Sequence, residues 1–126
     1  MLSDMKQDST FKKIQQLQER IASLKARLMS LGDLHPGSLS RQYNVCGKPG
    51  CRCKHPRHPK RHGPYYQLNY VFGGKKTSRF IPRPQVAQLR KELSRYKLLR
   101  RSLEQWTALA LQIAPLKRKM NPRSPK

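Results

Sequence analysis

The sequence predicts an α+β protein in which a cysteine-rich loop and a two-stranded β-hairpin are flanked by two long helices that pack as an antiparallel pair. Three observations carry this reading. Apolar residues recur at heptad spacing towards both ends, at Leu17, Ile21, Leu24, Leu28 and Leu31 and again from Val86 through Leu89, Leu93 and Tyr96. A β-prone run broken by Gly73-Gly74 lies between them. Ahead of that run, Cys46, Cys51 and Cys53 stand close together, followed by several histidines.

The ends of the chain read as helix. Residues 1–8 are expected to be a flexible N-terminus. Residues 9–32 then form the first helix, with Phe11 and Ile14 leading into the seam. Asp8, Ser9 or Thr10 can cap its start, and Gly32 suits its stop. So narrow an apolar stripe needs another helix to cover it. The second helix is expected over 83–114, with Pro84 in its first turn and Pro115 at its end. Its seam continues as Leu99, Leu103, Trp106, Ala110 and Ile113, with one residue lost from the pattern between Tyr96 and Leu99. Residues 115–126 read as a basic flexible tail. The alternative to an intramolecular pair is a dimer whose seams meet across chains.

Residues 33–82 are expected to hold a metal-binding loop and the hairpin. The stretch 33–64 is rich in Pro, Gly, His, Lys and Arg and reads as loop, and a loop so long needs something to pin it. The hairpin covers 65–81. Tyr65, Tyr66, Leu68, Tyr70, Val71 and Phe72 form one strand; Thr77, Ser78, Phe80 and Ile81 belong to the other. A turn at Gly73-Gly74 sets Phe72 opposite Lys75, Tyr70 opposite Thr77 and Leu68 opposite Arg79.

The 126 residues leave room for one small domain. They carry 28 Lys+Arg against 6 Asp+Glu, a formal net charge of +22, and no acid at all between His35 and Arg90. A compact fold with that imbalance repels itself, so a polyanionic partner is expected, with nucleic acid ahead of an anionic membrane. At 36% hydrophobic content the core is small, and a structural metal or a partner is the usual remedy.

The cysteines fit a metal better than a disulfide. The N-terminus has no apolar leader and nothing is long enough to span a membrane, so the chain reads as cytoplasmic. Zinc takes thiolate and imidazole ligands in tetrahedral geometry. The sequence offers Cys46, Cys51 and Cys53, then His55, His58 and His62. Gly47, Pro49 and Gly50 let the chain curl so that the sulfurs converge. His55 follows Cys53 too closely to fold back easily. His62 is preferred over His58, because Gly63-Pro64 launches the first strand and a ligand there ties loop to sheet. Basic neighbours Lys48, Arg52 and Lys54 favour the thiolate form. A catalytic cysteine needs a positioned base and an acidic orienter, and the only acids are Asp4, Asp8, Glu19, Asp33, Glu92 and Glu104. No enzymatic activity is expected.

The run Cys46-Gly47-Lys48-Pro49-Gly50-Cys51-Arg52-Cys53, then His62-Gly63-Pro64-Tyr65-Tyr66, then Gly74-Lys75 and Ser78-Arg79-Phe80-Ile81-Pro82, resembles a family of short bacterial and archaeal proteins of unknown function. Its signature is C-G-K-x-x-C-x-C, a short variable stretch, H-G-P-Y, a hairpin and a long helix, and the resemblance covers about residues 36–105. It implies Cys46, Cys51, Cys53 and His62 as the ligand set, with His55 and His58 in the variable stretch. It implies no activity.

Three groups of cations are candidate phosphate contacts. Lys48, Arg52, Lys54, Arg57, Lys60 and Arg61 lie on the cysteine loop, and Lys75, Lys76 and Arg79 on the hairpin. Arg90, Lys97 and Arg101 share a helix stripe, with Arg83 near its start. Tyr65, Tyr66, Tyr70, Phe72 and Phe80 have two uses, to stack bases or to form the small core, and core is expected for most. The reading is a small zinc-stabilised protein that binds DNA or RNA through phosphates, with neither membrane nor small-molecule substrate. Its alternative is an adaptor that docks a recombinase or nuclease through its helices.

Overall fold

The computed structural model describes residues 2–44 and 46–120, with side chains from residue 8 onward. Its elements run α1 (Leu2–Met29), β1 (Ser38–Asn44), β2 (His62–Phe72), β3 (Lys75–Ile81) and α2 (Val86–Met120), with short 3-10 turns at Arg52–Lys54 and Arg83–Gln85. They form two compact units. One takes Met1–Leu31 with Leu98–Lys126, the other Gly32–Lys97. Among the described residues no helix is long and apolar enough to cross a membrane.

The helical unit buries its seam. Ile14, Leu17 and Leu24 of α1 meet Leu109 and Ile113 of α2, and Ile21, Trp106 and Leu116 pack around them. Lys25 stands over the Trp106 ring at 4.9 Å, while the groove that begins at Gln18 reaches Lys117, so the two helices run in opposite directions. In this unit the seams therefore meet within one chain, whereas Leu89 and Leu93, expected on the same helix–helix seam, pack against the sheet instead.

Two details of α2 depart from the sequence pattern. Leu103 and Ala110, expected on the seam, are exposed, and Ser102 and Leu109 take their places. Burial follows the helix at 102, 106, 109, 113 and 116, a heptad alternation, whereas a search for apolar residues steps over Ser102 to Leu103. Ser102 is 1% exposed and its Oγ has no hydrogen-bond partner. The helix also runs through Pro115 to Met120 instead of stopping at 114. A proline forfeits one backbone hydrogen bond; packing of Leu116 on the core accompanies the continuation. At the other end α1 begins at Leu2, so residues 2–8 are helical where a flexible terminus is expected. Met1 and residues 121–126 lie outside the described residues.

The second unit is built on a three-stranded antiparallel sheet in the order β1-β2-β3. The hairpin register is the expected one, with Phe72↔Lys75, Tyr70↔Thr77 and Leu68↔Arg79. Gly73 and Gly74 have φ of 59° and 78°, the left-handed pair that a two-residue hairpin turn of this kind requires.

β1 corrects the reading of 33–64 as loop. Its sequence has one aliphatic residue, Leu39, and its pairing with β2 does the rest, from Ser38↔Asn69 to Asn44↔His62. Side chains reinforce the pairing: Ser40 Oγ donates to the Gln67 carbonyl at 3.3 Å, and Gln42 Nε2 donates to Gln67 Oε1 at 2.8 Å. The same pairing starts β2 at His62, ahead of the expected Tyr65.

One face of this sheet is covered. Leu68 is buried against Leu89 and Leu93 of α2, with Leu39, Tyr70 and Ile81 around them. The segment before β1 is fastened to the same helix. His35 N–H donates to the Glu92 carbonyl at 3.1 Å, and Arg95 Nη1 donates to the Asp33 carbonyl at 2.9 Å. The His35 ring meets the Tyr70 ring edge-on at 4.8 Å.

Ser102 yields a sharp expectation. Ser102→Ala removes a buried hydroxyl that nothing satisfies and should raise stability by about 1 kcal/mol in chemical denaturation. Leu17→Ala at the centre of the same seam should lower it by roughly 2–5 kcal/mol.

Candidate metal centre

The loop between β1 and β2 has little apolar material to hold it; between Cys46 and His62 only Cys53 is buried. Its order comes from local hydrogen bonds and from the residues that face its centre. The 3-10 turn Arg52–Lys54 is closed by Lys54 N–H to the Cys51 carbonyl at 3.0 Å and His55 N–H to the Arg52 carbonyl at 3.2 Å. Lys60 N–H returns to the same Arg52 carbonyl at 2.9 Å, bringing the chain back towards β2.

Inside this curl, donor atoms of Cys46, Cys51, Cys53 and His62 all lie within 4.8 Å of one another. Cys46 Sγ is 3.5 Å from Cys53 Sγ, and Cys51 Sγ is 3.1 Å from His62 Nε2. An ion held tetrahedrally at thiolate bond lengths separates its sulfurs by about 3.7 Å, so the set has the dimensions of a single four-coordinate centre. These four residues could hold a metal ion. Their chemistry, three thiols and one imidazole with no carboxylate, suits a soft or borderline cation.

The sulfurs are not equivalent. Cys51 is pulled down to about 6, first by the Cys53 backbone N–H and then by hydrogen bonds with Cys46 and His62. Cys53 is 2% exposed, and burial pushes its thiol up. The Cys46 N–H donates to Cys53 Sγ at 3.3 Å, giving that buried sulfur a backbone partner. His62 enters from the first residue of β2, so the centre joins the loop to the sheet. Gly63, next to it, has φ of 138°, and a Cβ there would come within 2.8 Å of the Gln42 carbonyl oxygen. Glycine is therefore the residue that lets β2 run beside β1 directly after His62.

The other two histidines serve the loop. His55 Nδ1 accepts the backbone N–H of Arg57 at 3.2 Å and of His58 at 3.0 Å, and its ring stacks with that of His58 at 6.0 Å. His58, the second choice as a ligand from sequence, stays outside the cluster.

The model of a domain of unknown function, DUF6788, matches residues 14–91, well over half of the chain. The chain belongs to the DUF6788 family. No curated protein and no solved structure matches it. The DUF6788 segment takes in the whole Cys3His cluster, all three strands and the start of α2.

Most of the candidate cations fall inside that segment. Lys48, Arg52, Lys54, Arg57, Lys60 and Arg61 are exposed on the loop that the cluster closes, and Lys75, Lys76 and Arg79 are exposed on β3. Arg90 is exposed on α2, its guanidinium 5.9 Å from the Tyr66 ring. Lys97 and Arg101 lie beyond the DUF6788 match, both exposed, Arg101 in the helical unit. Among the described residues none of these side chains forms an ion pair. Sequence reasoning passed over Arg41, exposed on β1 and 5.9 Å from the Tyr43 ring. The alternation of Leu39, Arg41 and Tyr43 with Ser38, Ser40 and Gln42 was the available signal.

The aromatics divide by strand phase. Tyr66 and Tyr70 are half-buried on the covered face and Tyr65 and Phe80 are exposed on the other, while Phe72, in phase with Tyr66 and Tyr70, is exposed at the end of β2.

Metal content tests the ligand set directly. Purified protein should contain one equivalent by elemental mass spectrometry. Cys51→Ser and His62→Ala should each lose it, while His55→Ala and His58→Ala should keep it. Loss of metal from His58→Ala to the same extent as from His62→Ala would contradict the assignment.

Proposed function

We propose that this DUF6788 protein is a small zinc-stabilised module that binds DNA or RNA, gripping phosphates with the lysines and arginines of its metal loop, hairpin and α2. The observation that carries the reading is the placement of Lys48, Arg52, Lys54, Arg57, Lys60 and Arg61, all exposed, on the segment that the Cys3His set closes.

Zinc is the ion that three thiolates and an imidazole suit best. Four protein donors fill a tetrahedral sphere and leave no open position, the hallmark of a structural site and not of a catalytic one. Its work is mechanical. A loop with so few apolar anchors cannot hold a row of like charges in place, because their mutual repulsion drives it open. Binding free energy at a structural zinc site is folding free energy, on the order of 10–16 kcal/mol in zinc-finger peptides, enough to hold such a loop closed.

Phosphate recognition follows from the charge. With no acid between His35 and Arg90, nothing nearby in sequence neutralises the loop and hairpin cations. Each phosphate they meet releases condensed counterions, so affinity falls steeply with salt. Arginine adds bidentate geometry to charge, which suits Arg52, Arg57, Arg61 and Arg79 to phosphate oxygens. The module acts by binding, with no catalytic step.

Fluorescence anisotropy against labelled DNA and RNA across a salt series tests this. Log K should fall linearly with log salt. Replacing Arg57, Lys60 and Arg61 together by alanine should make the slope shallower by up to about 3. Binding that is absent, or that ignores salt, would overturn the proposal.

A further inference from the structure

β2 presents alternate residues to opposite sides of the sheet. Tyr66, Leu68 and Tyr70 face α2. Tyr65, Gln67 and Asn69 lie on the other face, joined by Phe80 of β3, which pairs with Gln67, and by Ser40 and Gln42 of β1. Tyr65 is 42% and Phe80 69% exposed. In this register the two rings are diagonal neighbours. Beside them opens a shallow cavity of about 390 Å³ at the end of the hairpin, lined by Pro64, Tyr65, Phe80, Pro82 and Arg83 and also by the adjoining Tyr66 and Ile81.

This surface has the parts that an unpaired base requires. Two aromatic rings and two proline rings form flat apolar walls, and Arg83 supplies a planar cation that stacks on a base or pairs with a phosphate. Next to the rings, amides are held at defined positions. Gln42 Nε2 donates to Gln67 Oε1, and Ser78 Oγ donates to Asn69 Oδ1 at 2.6 Å. Those bonds leave the Gln67 and Asn69 amide N–H groups, on the same face but outside the cavity lining, as donors for a neighbouring nucleotide. The slot begins two residues after His62, where the cationic loop ends at Lys60 and Arg61. The slot therefore follows the phosphate-binding loop directly along the chain.

We infer that the cavity beside Tyr65 and Phe80 is a stacking slot for an unpaired nucleobase, and that the ligand of this protein is single-stranded nucleic acid. The inference rests on the phosphate-binding reading above. It excludes a duplex from the slot, because paired bases stay stacked on each other and offer no free face. Charge favours this occupant over an apolar or basic peptide: Arg83 in the lining and the neighbouring loop are cationic, and no acid lies between His35 and Arg90.

The experiment compares fluorescein-labelled oligo(U), oligo(dT) and a mixed-sequence DNA duplex by anisotropy, using full-length, metal-loaded protein. Tyr65→Ala and Phe80→Ala should each weaken the tighter of the two single strands by about tenfold. Duplex affinity and the salt slope should not change. Tyr65→Trp and Phe80→Tyr should retain single-strand affinity, and metal content and thermal melting should match wild type in all four variants. Unchanged single-strand affinity in both alanine variants, or an equal loss on the duplex, overturns the slot while leaving salt-dependent phosphate binding intact. Failure of the wild-type protein to bind any of the three oligonucleotides overturns the broader reading and the slot together.

Discussion

The convergence of Cys46, Cys51, Cys53 and His62 is the constraint on which the rest of the sheet unit's chemistry depends. It gathers two ends of a loop that has almost nothing else to fold around. Among the loop's described residues Cys53 is the one buried side chain, and it sits at the cluster. His62 is at once a member of the cluster and the first residue of β2, so the geometry of the centre passes directly into the sheet. Remove the centre, and the loop's cations repel one another with only a few backbone hydrogen bonds to oppose them.

The sheet has two different sides. One is an ordinary core, Leu68 against Leu89 and Leu93. The other carries amides, hydroxyls and Lys76, with Tyr65 and Phe80 exposed among them. In the proposed function these two exposed aromatic rings, which no described residue of the unit covers, serve as the binding surface beside the cationic loop. The helical unit is simpler: a heptad seam closed by leucine and isoleucine, with Ser102 as the small polar interruption.

Much of this was legible in the chain itself. Heptad spacing marked Leu17, Ile21 and Leu24, and the Gly73-Gly74 turn fixed the hairpin register residue for residue. The cysteine spacing marked the centre, and the position of His62 just ahead of a strand favoured it over His58. What stayed hidden depends on long-range partners. β1 has little intrinsic strand character and exists through its pairing with β2. Ser102 lies on the seam by helical phase, and no search for apolar residues finds it. The register placed Tyr65 and Tyr66 on opposite faces, yet which face α2 covers is decided by Leu89 and Leu93 in the folded state.

The central claim is that an ion in the Cys3His set creates the nucleic-acid-binding surface. Titrating zinc into metal-free protein while measuring affinity for a labelled single strand at fixed salt tests it most directly. The account predicts that tight binding grows in proportion to zinc bound and saturates at one equivalent. Metal-free protein that binds the strand as tightly as the zinc-loaded form would contradict it.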